Sequence, residues 1–199
     1  MRGRMASAPL AEIAARAPSG RILDVGCGHG ALMALLATDR PDRHVTGVDP
    51  DPRKVKWATA SIGRLPNVEV RLGTVETLLP AQEATYDAVV MADVMYLLPP
   101  ERWEGFLSTL FRLLKPGGAL LLQESEADRS WRHLKCIVQE FVMVRVLRRT
   151  RSSGGLHLKP RSFTEALLRR VGFEGVGSTT MSAGYTTPHV QIEARRPSR

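Results

Sequence analysis

Cysteine is nearly absent from this chain of 199 residues: Cys27 and Cys136 are the only two. Two thiols make no disulfide framework of the kind that staples small secreted domains. No uncharged apolar run approaches the ~20 residues that a membrane-spanning helix needs. Residues 1–20 contain arginines but no continuous apolar stretch, so no secretory signal is expected and a cytoplasmic location is the default. Clusters of His, Cys, Asp or Glu at metal-ligand spacing are missing, and no metal is expected. Aromatic residues make up only 6% of the chain, and no separate nucleic-acid module is visible. What remains is ordinary globular material, with 43% hydrophobic and 24% charged residues. The length suits one domain, 1–199, with a substantial core.

Acidic residues are also scarce in one place. Residues 129–170 hold eleven Lys and Arg against two acids, Glu140 and Glu165, a local charge of +9. The whole chain carries +8, so everything outside that segment sums to −1. A neutral body with one basic segment results.

The strongest positive signal is Ile22-Leu23-Asp24-Val25-Gly26-Cys27-Gly28-His29-Gly30. The β-branched, apolar run reads as a buried strand. Three glycines at alternate positions then strip the bend of Cβ atoms, so a ligand can lie against main chain. Ala31 to Thr38 follows with strong helix formers. Strand, glycine turn and helix make a nucleotide cradle at the carboxyl end of a sheet. Gly26, Gly28 and Ala31 also satisfy the dinucleotide pattern G-x-G-x-x-G/A, a weak signal by itself.

Farther along, strand patterns alternate with helical ones. A helix is expected at about Ala6–Ala17, with strands at His44–Val48, Val68–Arg71, Tyr86–Met91 and Gly118–Gln123. Helices are expected from Asp51-Pro52 to Ile62, from Pro99-Pro100-Glu101 to Leu114, and over Glu165–Val171. Phe173–Thr179 and His189–Ala194 read as closing strands. Such alternation implies an α/β sandwich built on a parallel sheet with right-handed crossovers.

From about Gly20 to Arg195 the chain resembles the class I methyltransferases that use S-adenosylmethionine (SAM). Four pieces carry the resemblance: Asp24-x-Gly26-x-Gly28-x-Gly30, the strand ending in Asp49, Tyr86–Met91, and Leu113-Leu114-Lys115-Pro116-Gly117-Gly118. The last is distinctive, and dehydrogenases have no use for it. The resemblance implies a Rossmann-like three-layer fold, with a seven-stranded, mostly parallel sheet whose C-terminal hairpin includes one antiparallel strand. It also implies SAM as cofactor, held by Asp24, Gly26, Cys27, Gly28, His29, Gly30, Asp49, Pro50 and the stretch after the third strand. There the family's usual Gly-Asp is replaced by Gly73-Thr74-Val75-Glu76, so Thr74 and Val75 are placed beside adenine. Turn and helix N–H groups suit the carboxylate of the amino-acid tail. Asp49 suits the ribose hydroxyls, with a helix-cap role as its plainer reading.

Asp93 follows the fourth strand at the switch point. It is a candidate general base, a contact to the methionine tail, or a helix cap. His157 and His189 are candidate bases because His titrates near neutral pH. Each is more often a surface or packing residue. Cys27 is expected to pack rather than react. Asp93, His157 and His189 make up the expected catalytic set.

Residues 127–160 look like a basic, apolar insertion that forms a substrate lid. Trp131–Leu147 is helical by length, with Leu134, Ile137, Val138, Phe141 and Val142 on one face, and Arg148–Gly155 reads as a basic loop. The expected acceptor is a small, hydrophobic or acidic metabolite of polyketide, aryl or acyl type, methylated on oxygen and carried alone or on an acidic carrier protein. RNA methylation, peripheral membrane contact with a lipid or quinone acceptor, and SAM binding without catalysis stay open. So does a homodimer through the apolar helix.

Overall fold

We describe the protein from a computed structural model that covers residues 9–125, 157–181 and 189–199. The expected lid helix and the basic loop lie outside the described residues.

Seven strands form one sheet: β1 (Gly20–Val25), β2 (Arg43–Asp49), β3 (Val68–Leu72), β4 (Tyr86–Ala92), β5 (Leu114–Ser125), β6 (Glu174–Met181) and β7 (His189–Arg195). Their order is β3-β2-β1-β4-β5-β7-β6. The pairs β1–β2, β2–β3, β1–β4 and β4–β5 are parallel. Only β7 runs against its neighbours, antiparallel to both β5 and β6. The Rossmann-like sheet expected from the sequence is what forms.

Helices pack on both faces. α1 (Leu10–Arg16), α2 (Ala31–Asp39) and α3 (Pro52–Ile62) cover one side; α4 (Trp103–Leu113) and α5 (Arg161–Val171) cover the other. The core divides accordingly. Ile22, Val45, Ala88, Val90 and Leu121 bury with α1 and α2, while Leu23, Val89, Leu120, Leu122 and Ile192 bury with α4 and α5. That alternation along each strand is the two-residue repeat of extended backbone. It also explains why β1 and β4 read as continuous apolar runs, since both faces are covered.

Several boundaries differ from the sequence expectation, with α5 starting at Arg161 rather than Glu165 and β6 spanning Glu174–Met181 rather than Phe173–Thr179, and two further shifts have identifiable reasons. β5 begins at Leu114 rather than Gly118, because Leu114 pairs with Tyr86 before the ladder slips and resumes at Ala88–Ala119. The intervening Lys115–Gly118 is an irregularity within the strand, with Gly117 at φ +79°. β2 begins at Arg43 rather than His44. Arg43 is fully buried and donates to the carbonyls of Ala17, Pro18 and Leu36 and to Asp39. One guanidinium thus ties the ends of α1 and α2 to the start of β2, at the end of the strands opposite the glycine turn.

Candidate active site

β1 and β4 lie side by side, yet the chain reaches β2 and β3 on one side and β5 on the other. The crevice where the strand order reverses is where open α/β sheets bind ligands, at the carboxyl ends of the strands. A cleft occupies that place, lined by Asp24, Gly26, Cys27, His29, Ala92 and Asp93, with Leu10, Ala31 and Leu32 closing its sides.

The glycine turn is shaped by left-handed backbone. Gly26, Gly28 and Gly30 have φ of +69°, +56° and +83°. A Cβ on Gly26 would lie 2.6 Å from Val94, and one on Gly30 would lie 2.5 Å from Ile62. These glycines let the turn sit flush against its neighbours, over and above leaving room for a ligand.

The turn's own N–H groups are mostly committed to protein. Gly26 and Cys27 donate to the Val48 carbonyl at 2.8 and 3.1 Å, and Gly30 donates to the Cys27 carbonyl at 2.9 Å. Gly28 donates to Asp49 Oδ2 at 2.9 Å. The expectation that the turn itself offers donors to a carboxylate shifts to the first turn of α2. That helix has no side-chain cap, and its Ala31 and Leu32 line the cleft.

Asp49 is buried and works from both oxygens, accepting from Gly28 on one and from the Asp51 N–H at 2.8 Å on the other. The helix cap is Asp51, which accepts from the Arg53 N–H at 2.9 Å. Its carboxyl is held down at about 2, first by the hydrogen bond from the Arg53 side chain. Asp49 therefore braces the glycine turn against β2, and Pro50 beside it is exposed. Thr74 is exposed where β3 gives way to a short 3-10 turn, and its carbonyl accepts from Thr77. The Val75 side chain is buried in the core with Val48 and Leu78, which leaves its backbone for any ligand contact. Burial, reinforced by Asp24 and Asp49, pushes the Cys27 thiol well above its ordinary range, so it packs and does not attack.

Beyond β4 the chain gathers polar groups. Asp93 adopts left-handed backbone, φ +58°, a conformation that Asp tolerates better than most residues. Its Oδ1 lies 3.8 Å from Nδ1 of His189, the first residue of β7. His157 donates its N–H to the Tyr96 carbonyl at 2.8 Å, which fixes it beside the same turn. All three candidate catalytic residues thus lie at the carboxyl end of the sheet.

A fourth residue escaped sequence reasoning. Glu124, buried near the end of β5, accepts from the N–H groups of Met95 at 3.0 Å and Val94 at 3.4 Å. Burial, followed by the nearby Asp93 carboxylate, pushes its carboxyl up to about 8. An acid closing an otherwise apolar strand, Ala-Leu-Leu-Leu-Gln-Glu, was the available signal.

SAM needs a carboxylate-binding helix start, an acid near its ammonium and an acid at the end of β2. Asp24 and the start of α2 line one cleft, and Asp49 at the end of β2 braces the glycine turn beside it through Gly28, so the residues present fit the cofactor.

Comparison with known proteins agrees. Residues 22–118 match a family model described as a methyltransferase domain. Over 118 residues the chain is 37% identical to a trans-aconitate 2-methyltransferase of Methylobacterium radiotolerans, covering 58% of this chain and 43% of that protein. Over 106 residues it is 36% identical to a ubiquinone biosynthesis O-methyltransferase of Xanthomonas campestris pv. campestris, covering 53% and 43%. The chain spans less than half the length of these curated relatives. The apo structure of the SAM-dependent methyltransferase SibL superposes with a TM-score of 0.73 at 23% identity, over 96% of this chain and 54% of that one. That likeness concerns the fold.

Fold and cleft together have the form of a nucleoside-cofactor protein. Over residues 22–118 the chain is similar to a methyltransferase domain, and the residues of its cleft fit SAM.

Proposed function

We propose that this protein transfers a methyl group from SAM to the oxygen of a small acceptor, hydrophobic or acidic in character. The observation that carries this reading is the meeting of buried His189 with Asp93, 3.8 Å apart, where Asp93 lines the cofactor cleft. SAM, when bound, supplies an electrophilic methyl carbon whose departure leaves a neutral thioether. Asp24, Asp49 and the start of α2 hold the cofactor in one orientation. Such alignment of reacting groups contributes up to ~7–11 kcal/mol to lowering a barrier. A hydroxyl acceptor must also lose its proton, and the Asp93–His189 pair is placed to receive it as the new oxygen–carbon bond forms.

The relatives' names support the direction, one naming trans-aconitate as acceptor and the other naming O-methylation. An acidic carrier presenting the acceptor suits the +9 segment. Ion pairs already engage part of that charge, since Arg170 meets Glu104 at 3.0 Å and Arg169 meets Glu165 at 3.5 Å.

Incubation of purified protein with labelled SAM and fractionated host extract tests the proposal, with small molecules separated from RNA. Label is expected in the small-molecule fraction, with or without a carrier. Label confined to RNA would show the acceptor to be of another class. Failure to bind adenosylhomocysteine would overturn the cofactor assignment.

A further inference from the structure

β5 and β7 place two glutamines face to face beside the cleft. Gln123 pairs directly with Gln191 across the antiparallel ladder, and two residues on, Ser125 pairs with His189. Side chains at directly opposed positions project to one side of a sheet, with Cβ atoms ~5 Å apart. Their strand neighbours Leu122, Val190 and Ile192 belong to the core layer of α4 and α5, so both glutamines face the other side. In β4 the residue opposite Gln123 is Ala92, which lines the cleft together with Asp93, Asp24 and Gly26. The row Ala92, Gln123, Gln191 therefore runs from a cleft-lining residue across three strands on the same face of the sheet.

These glutamines are 1% and 2% exposed, and Nε2 of each has no hydrogen-bond partner among the described residues. A buried polar group left without a partner costs ~1–3 kcal/mol, and native interiors hold few of them. Glutamine is seldom fully buried at all. Two such amides, adjacent and on the cleft's side of the sheet, each keep an Nε2 donor without a partner among the described residues.

We propose that Gln123 and Gln191 recognise the acceptor, their amide N–H groups holding a carbonyl oxygen of a small aromatic compound that also carries the hydroxyl to be methylated. This deepens the O-methyl-transfer reading and rests on it. The chemistry of the pair selects the class. Amides offer several donors and no positive charge, which suits the oxygen of a ketone, ester or amide. An isolated carboxylate would call for a guanidinium or ammonium. Among the described residues the buried guanidinium is that of Arg43, which is engaged at the opposite end of the strands. Gln191 and His189 are separated by one two-residue strand repeat, ~6.5–7 Å. A hydroxyl and a carbonyl on one ring span such a distance, which brings the hydroxyl toward His189 and Asp93.

Calorimetry on the full chain saturated with adenosylhomocysteine tests this, using para-hydroxyacetophenone and, as a matched probe without the carbonyl, para-ethylphenol. The ketone is expected to bind at least about tenfold more tightly, since a site built to hydrogen-bond a group rejects the analogue lacking it. In Gln123→Leu and Gln191→Leu the ratio is expected to fall to about one, with adenosylhomocysteine affinity unchanged. Thermal stability should hold or rise, because the Nε2 donor removed in each case lacked a partner. Gln123→Glu keeps the shape and exchanges donors for acceptors; it too is expected to lose the preference, which covers the case of a leucine variant that does not fold. Equal affinity for the two probes, no binding of either, or a preference that survives in the variants would overturn the proposal. So would a drop in stability on losing the amides. Absence of adenosylhomocysteine binding would instead strike the functional reading beneath it.

Discussion

Asp49 commits one carboxylate oxygen to Gly28 and the other to Asp51, so a single side chain joins the glycine turn to the entry of α3. Asp49→Ala is expected to weaken SAM binding at least about tenfold in calorimetry. It should also lower stability by ~1–3 kcal/mol, because two buried N–H groups lose their acceptor. Glu124 sets a different test. Its carboxyl titrates at about 8 in the folded protein, first because it is buried and then because Asp93 lies close. An unfolded Glu titrates near ~4.3. Between those values the folded state keeps a proton that the unfolded state has released. Stability therefore falls as pH rises across that window and levels off above it. Glu124→Gln should flatten the curve, as read by thermal midpoints at a series of pH values. At this scale the sequence was most informative about the glycine turn. Motif spacing exposed Asp24 and Asp49, while Glu124 showed only as an acid at the end of an apolar strand. Its partners, Val94 and Met95, sit thirty residues back on another strand's exit turn.

Secondary elements were legible wherever both their faces are buried. The apolar runs of β1 and β4 announced themselves for that reason, and Asp51-Pro52 marked the start of α3 through capping chemistry. The glycine ending α5 was equally plain, since Gly172 takes φ +110° at its C-cap. Errors fell where tertiary contacts override local preference. An arginine reads as a loop or surface residue, yet Arg43 is fully buried because three carbonyls and Asp39 surround its guanidinium. Arg43→Met keeps the bulk and removes the charge. It is expected to cost about 3 kcal/mol, within the range seen when a buried ionic partner is lost. Denaturant titration would measure it, and SAM affinity should stay near the wild-type value because the site lies at the other end of β2.

Across the whole molecule, the cleft and the excess of positive charge fall to different parts. The cleft belongs mainly to β1, β4 and the turns that follow them, whereas the basic surplus lies between residues 129 and 170. Charge reversal at Arg148, Arg149 and Arg151 is expected to raise the acceptor KM several-fold and leave SAM affinity unchanged. Steady-state kinetics beside calorimetry would check both, and an unchanged KM would remove the segment from acceptor binding. Raised salt should act in the same direction, since exposed charges are screened over ~8–10 Å.

The linear order of residues was enough to establish the strand–helix alternation, the glycine turn and the acids Asp24 and Asp49. Those are local matters: dihedral freedom, side-chain periodicity and short-range spacing all act within a few residues. Only the folded sheet decided which distant groups meet. β7 enters antiparallel beside β5, and that one pairing brings His189 to Asp93 and sets Gln191 against Gln123. Register across strands far apart in the chain arises from packing both faces at once, and no short stretch of sequence encodes it.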